Sequence, residues 1–74
     1  MPYREKFDPQ EVKDLRDRLI NIDADLATDM VAGFLAYNGY GVNRPVIHEL
    51  VANGMSKVPF EQFKRELEKL ALEN

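Results

Sequence analysis

The chain has no cysteine and no tryptophan, and only one histidine. Without Cys there is no disulfide framework, no thiolate metal site and no cysteine nucleophile. With His48 as the only imidazole, a zinc centre would have to be completed by carboxylates, and a histidine dyad is excluded. No apolar run approaches the about 20 residues that span a bilayer. The opening Met-Pro-Tyr-Arg-Glu-Lys is not followed by the apolar stretch of a secretion signal. A cytoplasmic protein without membrane contact is therefore the expectation. Glycine and proline, four of each, are few enough to act as punctuation.

What remains is a 74-residue chain, 45% hydrophobic and 31% charged, with ten Lys+Arg against thirteen Asp+Glu and a formal net charge of -3. That balance is globular rather than disordered, and the length fits one domain over 1–74. A core this small has little to spare. A deep catalytic cleft would remove packing that the fold requires, so composition weighs against an enzyme.

Four helical segments follow an N-terminal arm at 1–7. The first, about 9–22, opens on Asp8-Pro9-Gln10-Glu11: a cap, Pro at the first helical position and Glu at the third. Asp8 can accept from the Glu11 amide in a capping box, and Phe7 with Val12 occupies the two places of a hydrophobic staple. Val12, Leu15, Leu19 and Ile22 form one apolar stripe, with Asp14 and Arg18 four apart on the outer face. The second helix, about 25–38, starts at Asp23 or Asp25. Leu26, Ala27, Met30, Val31, Phe34 and Leu35 give it a broad face, expected to be the most buried in the chain. Gly33 within it is accounted for by a close helix-helix approach. Asn38-Gly39 ends it with a left-handed cap.

The third helix, about 44–53, is capped by Asn43, presents Val46, Ile47, Leu50 and Val51, and closes at Asn53-Gly54. The fourth, about 57–72, starts from Ser56 or near Val58-Pro59. It carries Phe60, Phe63, Leu67 and Leu70 on one face and Glu61 with Arg65 on the other. No segment shows the sustained two-residue alternation of a strand. The fold class is all-α: a compact single-domain bundle of four short helices, the second the most central.

Each candidate chemistry meets a plainer explanation. Asp23, Asp25 and Asp29 begin a calcium-loop spacing, but its last three diagnostic places hold Ala27, Thr28 and Phe34. Acids at a helix N-terminus, favoured by the dipole, explain them. Gly39-Tyr40-Gly41 opens a phosphate-loop pattern that Arg44 breaks, and no strand precedes it. His48 has Arg44 and Ala52 as its helical neighbours and no legible nucleophile in reach, so a partly exposed helical His is expected. No cofactor and no metal are expected.

Two stretches half-match helix-turn-helix spacing, one around Gly54-Met55-Ser56 and one around Gly41-Val42-Asn43. Glycine-capped helices of a small bundle produce the same pattern. Lys57, Lys64 and Arg65 are the basic residues that DNA binding through the fourth helix would use, yet Glu61, Glu66 and Glu68 interleave with them. Tyr37 and Tyr40 flank the second turn beside Arg44. Tyr and Arg are the residue types enriched at interface hot spots. Tyr37 is expected at the border of the core, and Tyr40, between glycines, unshielded. The function that follows is non-enzymatic binding: a regulatory or adaptor protein contacting another protein through Tyr37, Tyr40 and Arg44. A second copy of the chain is admitted as that partner, and helix-turn-helix DNA binding through Lys57, Lys64 and Arg65 is the alternative.

Overall fold

Asp8 accepts a hydrogen bond from the Gln10 amide at 2.9 Å, and helix α1 follows over Pro9–Arg18. The donor is thus one residue earlier than the Glu11 amide expected of a capping box. Phe7 and Val12 both enter the core, as a staple requires. This computed structural model describes residues 6–73, with the backbone alone described for 72 and 73. Of the arm expected at 1–7, the first five residues, Tyr3 among them, lie outside that range.

Helix α1 is shorter than its stripe. Leu19 caps it, and Asn21 takes a left-handed φ of 68°, a conformation Asn tolerates better than most residues. The periodicity carries on to Ile22 because that side chain returns to the core from the connection rather than from the helix. On the outer face Asp14 accepts at 3.0 Å from Gln10 Nε2, one turn before it, rather than from Arg18, the partner expected one turn after it.

Helix α2 spans Ala24–Tyr37. Asp23 is its cap, accepting from the Leu26 amide at 2.8 Å. It ends at Asn38, and Gly39 continues at φ 85°, where a side chain would be strained. Helix α3 spans Arg44–Ala52 under an Asn43 cap, and Gly54 at φ 93° turns the chain after it. A 3-10 turn over Met55–Lys57 precedes helix α4, Phe60–Leu70. Ser56 lies inside that turn and does not cap α4. Pro59, which has no amide hydrogen to contribute, stands at the α4 boundary instead, the second of the two expected starts.

The chain beyond α4 corrects two expectations, a helix to 72 and no strand. Tyr40–Gly41 (β1) pairs antiparallel with Leu72–Glu73 (β2), Tyr40 opposite Glu73 and Gly41 opposite Leu72. Two-residue strands are too short to show alternation in sequence. The pairing ties the end of the chain back to the α2–α3 connection.

The architecture is a small all-α bundle with a radius of gyration of 11.5 Å, against about 11 Å for a compact chain of this length. All four helices feed one core, whose fully buried side chains are Val12, Val31, Leu35, Ile47, Phe63 and Leu67. Helix α2 packs most extensively on α3, and α1 on α4. Arg16 of α1 ties the second pair together, donating from its guanidinium to the Val58 carbonyl at 2.6 Å.

Candidate functional site

Helix α2 has two apolar faces with different fates. Ala27, Val31, Ala32 and Leu35 are buried. Leu26, Met30, Gly33, Phe34 and Tyr37 form a second strip, spaced four, three, one and three. On this strip Leu26 is 45% exposed and Tyr37 85%, while Met30 and Phe34 are half-buried. The broad buried face expected for α2 is therefore only half buried. Val46, expected on the inner face of α3, is 42% exposed for the same reason: four short helices around a small core cannot cover every apolar position.

From Met30 to Tyr37 the uncovered strip forms one wall of a groove of about 380 Å³ between α1 and α2. Leu15, Met30, Gly33 and Phe34 line its depth, Tyr37 stands at one end, and Glu11, Asp14, Arg18 and Asp29 make the charged rim. A Cβ built on Gly33 would meet nothing within 4 Å. The close helix approach expected to explain this glycine is not there; its missing side chain opens onto the groove.

The three expected partner-binding residues are placed in three settings. Tyr37 ends the strip and projects into solvent, so its expected place at the border of the core is corrected. Tyr40 is the more enclosed of the two. Its ring meets Phe7 edge-on at 5.4 Å, Phe7 in turn tilts against Phe34 at 5.2 Å, and Lys6 Nζ lies 5.6 Å from the Tyr40 centroid. The neighbouring glycines do not shield Tyr40; Phe7, arriving from the other end of the chain, does. Arg44 turns to α2 and pairs with Asp29. Asp29 is the link back to the groove, since it lies on the rim.

A second side-chain contact between the same helices accompanies the ion pair. His48 Nε2 lies 3.1 Å from Asp25 Oδ1. Arg44 and His48, four apart on α3, thus meet Asp29 and Asp25, four apart on α2. The sequence shows the acids and the bases separately, and only the register between two helices brings them together. The hydroxyl lining the same hollow, Thr28 Oγ1, donates to the Ala24 carbonyl at 2.7 Å and is held in the helix. A nucleophile-base-acid relay needs that hydroxyl free and hydrogen-bonded to the imidazole. Among the described residues no group of three or more His, Asp or Glu side chains is arranged to hold a metal ion.

The residues of the DNA alternative are also dispersed. Lys57 belongs to the 3-10 turn and lines a different hollow, with Leu19 and Val51. Lys64 is half-buried in α4. Arg65 is exposed, its Nε 3.5 Å from the Glu61 carbonyl oxygen rather than paired with the Glu61 carboxylate. Among the described residues no helix is long and apolar enough to cross a membrane. No protein-family model matches the chain, and neither a curated protein nor a solved structure is similar enough to show a relationship.

Proposed function

We propose that this chain is a small non-enzymatic binding protein, a regulatory or adaptor module, and that its partner is another protein seated along the groove between α1 and α2. The observation that carries the proposal is Tyr37, 85% exposed at the end of an apolar strip that its own fold leaves uncovered. Water around such a strip is released when a partner covers it. A tyrosine adds a large rigid surface at low entropic cost, and contiguous apolar surface rimmed by charge marks interaction sites. Of the residues singled out from sequence, Tyr37 makes the contact, Arg44 steadies the rim through Asp29, and Tyr40 supports the groove end through Phe7 and Phe34.

Less supports DNA binding through Lys57, Lys64 and Arg65. Helix α4 carries three acids and three bases, and Lys69 lies 3.8 Å from Glu66. A phosphate-binding face gains affinity with each unopposed cation, and α4 offers few.

Site-specific photocrosslinking in the native host separates the two. A benzoylphenylalanine at position 37 is expected to capture a protein, and the capture is expected to fade when Met30→Glu places a charge in the groove. The same probe at position 69 is expected to capture nothing. Crosslinks to nucleic acid from position 65, or a crosslink at 37 indifferent to Met30→Glu, would overturn the groove as the binding surface.

A further inference from the structure

The groove has a polarity that selects its occupant. Phe7, just ahead of α1, packs in a tilted contact against Phe34 in the last turn of α2, so the two helices run antiparallel along the groove. Of the two carboxylates that α1 adds to the rim, Glu11 lies nearer the Tyr37 end, and Asp14, one turn further along, keeps an oxygen besides the Oδ1 that accepts from Gln10. Helix α2 has no basic residue in its last turn, so none of its own side chains there offsets the negative end of its dipole. The opposite end carries no such excess of acid: Arg18 is on the rim, and Asp29 is already held by Arg44.

Shape narrows the occupant further. Both walls are helices whose backbone groups are bonded internally, so a strand added here would find no ladder partners, whereas a helix needs none. From Asp29 to Tyr37 the α2 wall is about 12 Å long at 1.5 Å per residue, or about two turns of an occupying helix. The open space over Gly33 admits a side chain from outside.

Taking the groove as the docking site, we propose that its occupant is an amphipathic helix of a partner protein, two turns of which are seated between α1 and α2. An aliphatic side chain of that helix enters over Gly33. An Arg or Lys is set against Tyr37, Glu11 and Asp14, where the ring face and both carboxylates favour a cation.

The test is a phage-displayed library of helical 14-residue peptides, with the apolar stripe fixed and the flanking positions free among Arg, Lys, Glu and Gln. Selection on the full chain is expected to enrich Arg or Lys at one flank. Amide shifts of the bound complex are expected at Leu15, Gly33 and Tyr37. Glu11→Lys with Asp14→Lys, both exposed positions, is expected to weaken the selected peptide by about tenfold, and replacing the peptide's cation with Glu should restore binding to that variant. Tyr37→Ala serves as the second variant and should weaken it without altering the unfolding curve. Groove-bound peptides with no flank preference, indifferent to the charge reversal, would overturn the cationic helix and leave the groove standing. Peptides that map elsewhere, or no enrichment over a scrambled library, would overturn both.

Discussion

The two sides of α2 carry similar apolar content and behave oppositely. Toward α3, Ala27, Val31 and Leu35 are buried, and the seam is bordered by Asp25 with His48 and Asp29 with Arg44. Toward α1, the strip from Leu26 to Tyr37 is left half open. The difference lies in what faces each side. Helix α3 has a matching apolar face and complementary charges in register. Helix α1 buries Val12 and Leu15 in the shared core and presents Glu11, Asp14 and Arg18 to the groove, with no apolar side chain but Leu15 to set against the strip. One helix in a four-helix chain can thus be core on one side and half open on the other.

The comparison breaks most visibly at two positions two residues apart. Leu35 is fully buried and Tyr37 is not. Leu35→Ala removes buried methyl groups and leaves a cavity, at a cost of about 2–5 kcal/mol. In a domain at the low end of about 5–15 kcal/mol total stability, that brings unfolding close to working temperature. Tyr37→Ala should stay within about 0.5 kcal/mol of wild type. Urea unfolding of both variants checks the pair. Equal losses would mean that the strip is core after all.

Local signals are legible in the sequence, and relations between elements are not. Asp8, Asp23 and Asn43 as caps, and Asn38-Gly39 and Asn53-Gly54 as stops, follow from what neighbouring backbone groups need. The end of α1 has a signal too, Asn21 two residues before the Asp23 cap, but the apolar spacing to Ile22 runs past it. The split of α2 has none. Which half of a broad apolar face is covered depends on the neighbour it meets, and periodicity alone cannot name the neighbour. For the site, Tyr37 is legible as an aromatic beside a turn, but the extent of its exposure is not, because one step off the apolar face reads as the border of the core. Glu11 and Asp14 read only as first-turn and outer-face charges, because nothing local reveals that α2 lies across from them. The enclosure of Tyr40 escapes a local reading because its shield, Phe7, lies 33 residues away in sequence.

Gly33 sharpens the contrast with a smaller effect of opposite sign. A glycine in a helix interior costs about 1 kcal/mol relative to alanine, and here an added Cβ meets nothing within 4 Å. Gly33→Ala should therefore stabilise the chain, by about 0.4–1 kcal/mol, with a raised thermal midpoint. The same methyl narrows the groove floor, so the groove-selected peptides should bind more weakly to the stabler protein. A gain in stability accompanied by a loss in affinity is what a glycine kept for an outside partner produces. A loss of stability would show that something within the chain occupies that space.

The smallest expected effect is on the seam that is already closed. Arg44 and Asp29 form a direct pair, but both side chains are more than half exposed. Solvent screening at such a site reduces the attraction, and holding two side chains in one geometry costs entropy. A double-mutant cycle with Asp29→Asn and Arg44→Gln should give a coupling of about 0.2–1 kcal/mol, in the range of exposed pairs. Raising the salt concentration should shrink it further, since the screening length falls from about 10 Å at 0.1 M to about 3 Å at 1 M. The α2–α3 seam would then owe its closure to Val31, Leu35 and Ile47, which are completely buried, with the polar contacts at its border fixing how the two helices align. A coupling that survives high salt, or exceeds the loss from Leu35→Ala, would reverse that order and make charge rather than apolar packing the reason one side of α2 closes and the other stays open.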